Sequence, residues 1–132
     1  MPEPSVVDPG VGPFAALLGI HRTAMADGRA RFELEVRPEH LNPHGVVPGG
    51  VVYALADYAM GGALTSRLRP AERCATLEIK INYLAPASDG RLSAEAWVVE
   101  RTTRVGVLEA RVLAGDRLIA LAIGTFFIQT PA

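Results

Sequence analysis

The segment Arg31-Phe32-Glu33-Leu34-Glu35-Val36-Arg37 alternates polar and apolar at every step, which predicts a strand with one wet and one dry face. Before it, Ile20 to Ala26 reads as a first strand closed by the turn Asp27-Gly28. Pro13 to Gly19 reads as a short helix, with proline near its start and glycine at its end. The pattern changes after the loop that ends at Pro48. From Gly49 to Arg67 small and aliphatic residues run nearly all round a helical wheel, with Val52, Leu55, Ala56, Ala59 and Ala63 on one side and Leu64 elsewhere. A helix without a wet face is a buried helix. Arg67, Arg69 and Pro70 mark its end.

Four strands follow. Ala75, Leu77, Ile79, Ile81 and Tyr83 form the apolar side of the first, against Thr76, Glu78, Lys80 and Asn82. Ser88-Asp89-Gly90 turns into a second, Arg91 to Arg101, and a third, Arg104 to Leu113, follows almost at once. Ala114-Gly115-Asp116 turns into the last, Leu118 to Phe127, which is apolar on both sides and is therefore expected at the sheet's centre or covered on both faces. Short turns favour antiparallel pairing, and the element order excludes an alternating strand–helix fold. The expected architecture is α+β: one curved antiparallel sheet wrapped around one long central helix. It spans residues 13–132, behind a flexible proline- and glycine-rich arm over residues 1–12.

Charge narrows the partners. Lys and Arg number 13 against 14 Asp and Glu, so no cationic excess exists to neutralise phosphates, and no nucleic-acid partner is expected. The longest apolar run, residues 46–64, contains Pro48, four glycines and Asp57, which excludes a membrane span. The opening Met1-Pro2-Glu3-Pro4 lacks the basic start and apolar stretch of a signal peptide. The single Cys74 has no cysteine partner for a disulfide or a zinc site, and it reads as a small core or surface residue. The cytoplasm is the expected compartment.

The chemistry concentrates in one segment. Between Glu39 and Arg67 the only charged side chain is Asp57, set among aliphatic neighbours on the long helix. A carboxylate there loses hydration and needs a partner or a task. The same helix opens with Pro48-Gly49-Gly50, whose backbone N–H groups suit an anion or a polarised carbonyl oxygen. Gly49 and Asp57 are eight residues apart, roughly 12 Å at the helical rise, which is too far for both to act on one carbonyl. Two antiparallel copies of the helix in a symmetric homodimer would bring Gly49 of one to Asp57 of the other.

Read together, Asn42-Pro43-His44-Gly45-Val46-Val47-Pro48-Gly49-Gly50, Leu55-Ala56-Asp57, Thr76 with Asn82-Tyr83-Leu84-Ala85-Pro86-Ala87, and Gly124-Thr125-Phe126 resemble the hotdog-fold acyl-CoA thioesterases of the PaaI (phenylacetate-pathway) type. The resemblance covers the chain from about Phe14 to Phe127. It implies hydrolysis of an acyl-CoA to a free acid and coenzyme A, with no metal or redox cofactor, by a homodimer often paired into a dimer of dimers. Asp57 is then the nucleophile or general base, Gly49 the oxyanion donor, Thr76 the residue that positions water or the aspartate, and Asn42 a holder of nucleophile or thioester, or else only the turn residue before Pro43. His44, Pro48, Gly50 and Tyr53 fall at the substrate, with core packing the competing role for Tyr53. Arg101 and Arg104 form the basic cluster closest in kind to what the coenzyme's phosphates need. His21 and His40 are structural.

One position departs from the family pattern. Pro48 stands where the family has the first residue of His-Gly-Gly, and a proline ring donates no hydrogen bond. A non-catalytic acyl-CoA binder on the same fold therefore stays open beside the thioesterase. An enoyl-CoA hydratase is less favoured, because no Asp–His dyad stands at the helix start. The acyl group, small aromatic or medium-chain, is not legible.

Overall fold

The computed structural model describes residues 10–131. The arm expected over residues 1–12 thus lies, through residue 9, outside the described residues. The elements run α1 (Gly12–Leu18), β1 (His21–Ala26), β2 (Arg29–Glu35), a 3-10 turn (Pro38–His40), α2 (Gly49–Thr65), β3 (Arg73–Tyr83), β4 (Arg91–Arg101), β5 (Val105–Ala114) and β6 (Arg117–Gln129). The six strands form one antiparallel sheet in the order β1-β2-β4-β5-β6-β3. The sheet does not close on itself, so β1 and β3 are its two free edges.

Helix α2 lies against the inner face of every strand. Leu55, Ala56, Ala59, Met60, Ala63 and Leu64 are fully buried there, against Phe32, Leu34, Leu92, Leu108 and Phe126 of the sheet. The small residues let the helix approach closely: a Cβ on Gly106 of β5 would lie 2.9 Å from Leu64 Cδ2. The helix ends at Thr65, before the arginines expected to mark its end. Ser66 closes it, donating to Ala63 O at 2.7 Å and accepting the Gly28 N–H at 2.8 Å, while Arg67 reaches away to Asp27 O.

Two expectations change. The register of β3 against β6 shifts between Thr76 and Glu78, so Leu77 is an extra residue in the strand. The bulge reverses the side-chain parity. Thr76 faces the helix before it, Ile79 and Ile81 face the core after it, and Leu77 is 61% exposed instead of sharing the apolar side. The second change concerns β6. It has a neighbour on each side, β5 and β3, yet its outer face is open: Leu121 and Ile123 are each 45% exposed. Its run of apolar residues on both faces is therefore not explained by burial within the chain.

Candidate active site

Asp57 sits on the side of α2 that the sheet leaves uncovered. Across the gap, Thr76 Oγ1 donates to Asp57 Oδ1 at 2.7 Å, and no described residue pairs with Oδ2. One carboxylate oxygen is thus oriented by the hydroxyl. The carboxylate opens into a chamber of about 300 Å³. Its floor is Tyr58, Gly61 and Gly62 of α2, β3 supplies Cys74 and Thr76, and β1 supplies Met25 and Arg22. The aromatic rings of Phe32 and Tyr58 stand 6.4 Å apart at its base.

Gly49 is elsewhere. It lines a second cavity with Val47, Tyr83, Leu84 and Ile119, and the two cavities share no lining residue. Pro48 occupies the cap position of α2 in an extended conformation, and no side chain caps the helix start. The Val51 N–H turns back to Pro48 O at 3.1 Å, and no described residue accepts from the N–H groups of Gly49 and Gly50, which have no acceptor within the helix. Tyr83 Oη donates to Gly49 O at 2.8 Å, and its ring lies so close that a Cβ on Gly49 would be 2.9 Å from Tyr83 Cζ. Loss of solvent, and secondarily Tyr53, raises the Tyr83 phenol above its usual pKa. It therefore stays a donor at neutral pH. Glycine here lets the half-exposed Tyr83 ring lie on the helix start, and a larger residue would push that ring aside.

The other expected site residues spread out. Asn42 Oδ1 accepts the N–H groups of His44 (2.9 Å) and Val46 (3.1 Å), so its oxygen organises the loop before α2. No described residue pairs with its amide nitrogen or with the exposed side chain of His44. Gly50 is exposed and Tyr53 half-buried. Arg101 is tied to Glu72, with nitrogen–oxygen distances of 3.2 and 3.3 Å, at the far end of α2. It borders a shallow basic groove with Arg67, Arg69, Thr102 and Thr103, and neither it nor Arg104 lines the Asp57 chamber. His40 is structural: Nδ1 accepts the Arg37 N–H (2.9 Å), leaving Nε2 to donate to Leu18 O (2.7 Å). His21, at 3.4 Å from Gly19 O, touches no site residue.

Two lining residues escape a reading of the sequence. Cys74 lies two positions before Thr76 on the same face of β3, a parity that could have found it. Burial raises its thiol pKa, which disfavours the thiolate a nucleophile needs. Tyr83 was hidden by the bulge, since its distance from Thr76 has the wrong parity for a regular strand.

A family model described as "Thioesterase superfamily" matches residues 44–120, which hold both Gly49 and Asp57. The chain belongs to this superfamily. It is 36% identical over 114 residues to a "Putative esterase" of Archaeoglobus fulgidus, covering 84% of this chain and 71% of that one. Among solved structures it matches the conserved protein PA5202 from Pseudomonas aeruginosa with a TM-score of 0.88 and 34% identity, covering 90% of this chain and 95% of that one. It matches a mutant of the phenylacetic acid degradation protein PaaI from Thermus thermophilus with a TM-score of 0.81 and 34% identity, covering 88% of this chain and 98% of that one. The fold is the hotdog fold, and the protein is a thioester hydrolase of the PaaI-like thioesterases. Acyl-CoA thioesters are the substrate type this family implies. No described helix is long and apolar enough to cross a membrane.

Proposed function

We propose that two copies of the chain form two sites, each hydrolysing a small aromatic or medium-chain acyl-CoA with Asp57 of one copy and the Gly49 amide of the other. The observation that carries this reading is the separation within one chain. An oriented carboxylate stands in one cavity and an uncapped helix start in another, so each half of the chemistry lacks its complement. A two-fold axis beside α2 supplies both complements at once. The free edge of β3 supports such an axis, because an eleven-residue strand whose alternate residues turn their backbone groups away from β6, with an exposed Leu77, favours pairing with a second copy.

In this reading the thioester carbonyl accepts from Gly49 N–H, and the tetrahedral oxyanion is stabilised where its charge develops. Asp57 Oδ2 either attacks the carbonyl carbon, expelling the coenzyme A thiolate and leaving a mixed anhydride that water cleaves, or takes a proton from the water that attacks. Both routes give the free acid and coenzyme A and return Asp57 as a carboxylate. Thr76 holds the other oxygen throughout. Neither route needs a metal or a redox cofactor. Asn42 holds the loop that carries His44, Pro48 and Gly50 to the thioester, with Tyr53 behind it. Arg104 and the groove around Arg101 offer positive charge to the coenzyme's phosphates. Leu121 and Ile123 on the outer sheet face are the surface assigned to pairing of two dimers.

The test is thiol release from a panel of acyl-CoA substrates by the wild type and by Asp57→Ala. Turnover that falls at least a thousandfold in the variant supports the reading. Turnover unaffected by it moves the chemistry to another residue, and tight binding without release leaves a binder.

A further inference from the structure

Helix α2 carries two interior glycines whose surroundings differ. A Cβ on Gly62 would lie 2.6 Å from Phe32 Cε1 and 3.0 Å from Cζ, so glycine is required there for the helix to rest on the sheet. A Cβ on Gly61 would meet only Phe126 Cε2, at 3.7 Å, an ordinary contact. Packing within the chain would accept a methyl group at Gly61, and helix propensity favours one, since a glycine inside a helix costs about 1 kcal/mol relative to alanine. The space therefore serves something other than the fold. Gly61 lines the Asp57 chamber and lies one helical turn from Asp57 on the same face, where side chains stand about 5–6 Å apart. Atoms two to four bonds from a carbonyl held at Asp57 would occupy that space.

We infer that Gly61 sets the width of the acyl chamber beside the reacting carbonyl. It admits acyl groups that are bulky there, with a ring or a branch at the first carbons, over straight chains that need no such width. Cys74 is the adjoining wall, its thiol donating to Gly61 O at 3.9 Å, so its side chain borders the same space. The inference rests on the proposed use of Asp57 and adds the shape of the acyl group.

The test uses the full chain with benzoyl-CoA and isobutyryl-CoA as bulky probes and hexanoyl-CoA as the straight one. In Gly61→Ala the ratio of kcat/KM for hexanoyl-CoA over benzoyl-CoA is expected to rise at least tenfold, as one methyl group misplaced in an apolar pocket does. Thermal unfolding is expected at or above the wild-type temperature, which separates selectivity from misfolding. Adding Cys74→Ala is expected to move the ratio back toward wild type. An unchanged ratio overturns the inference. So does an equal fall for every substrate accompanied by dissociation, which would assign the glycine to contact between copies. If the wild type releases no thiol, the proposed hydrolysis fails first, and the same ratio read from Kd by calorimetry still decides the chamber's width.

Discussion

Thr76 and Asp57 are joined across the gap between the free strand β3 and helix α2 by a 2.7 Å hydrogen bond from hydroxyl to carboxylate. The bond exists because Leu77 bulges out of the strand immediately afterwards, which lets Thr76 and the later core residues Ile79 and Ile81 face the same way. Removing the hydroxyl while keeping its shape tests its worth. Thr76→Val is expected to lower kcat by about tenfold to a hundredfold through loss of carboxylate orientation. KM should stay nearly constant, and Thr76→Ser should restore most of the rate. Steady-state kinetics on one acyl-CoA checks all three.

Gly62 makes the opposite kind of demand from a catalytic residue. Its missing Cβ is occupied by the Phe32 ring, so Gly62→Ala is expected to destabilise the chain by about 1–3 kcal/mol through overpacking. Urea unfolding measures this, and Phe32→Leu in the same chain should recover part of the loss.

His40 ties the turn before the site loop to the end of α1. In His40→Ala the Leu18 carbonyl and the Arg37 N–H lose their partners in a buried setting. The expected cost is about 1–3 kcal/mol of stability. Hydrogen exchange should speed up at Arg37 and in the neighbouring loop more than in β4 or β5.

The outer sheet face gives a pH dependence of known sign. Glu95 bridges Arg31 and Arg111, each at 2.6 Å, and these guanidinium groups, Arg31 foremost, hold its carboxyl below the usual carboxylate value. Its contribution to stability is therefore complete above the unfolded pKa, about 4.3. It is lost as pH falls through the folded value. Wild type should lose stability on acidification more steeply than Glu95→Gln, with the two curves converging in strong acid. Urea midpoints between pH 7 and pH 3 check the slope.

Much of the fold was legible because its signals are local. The alternation from Arg31 to Arg37, the uncharged stretch around Asp57 and the short turns at Asp89-Gly90 and Gly115-Asp116 each constrain only a few residues. Together they leave little besides a sheet around a buried helix. The bulge at Leu77 was not legible, since one extra residue leaves no composition mark and only pairing with β6 reveals it. The ion pair of Arg101 with Glu72 joins residues 29 positions apart and was hidden for the same reason. A basic turn looks free until its partner from another element is seen. Asp57 and Gly49 stood out as an isolated charge and a glycine pair, whereas Cys74 and Gly61 are ordinary residues that matter only by lining a cavity.

The division of labour between Gly49 and Asp57 is open to a direct measurement. Asp57→Ala and Gly49→Val chains, each first shown by thermal unfolding to be folded and by assay to be inactive alone, are mixed, dissociated and reassociated, and thiol release from an acyl-CoA is followed. If each site joins the carboxylate of one copy to the helix start of the other, half of the dimers are mixed and each holds one intact site, so activity should return to about a quarter of wild type. A mixture that stays as inactive as its two components would contradict the shared site.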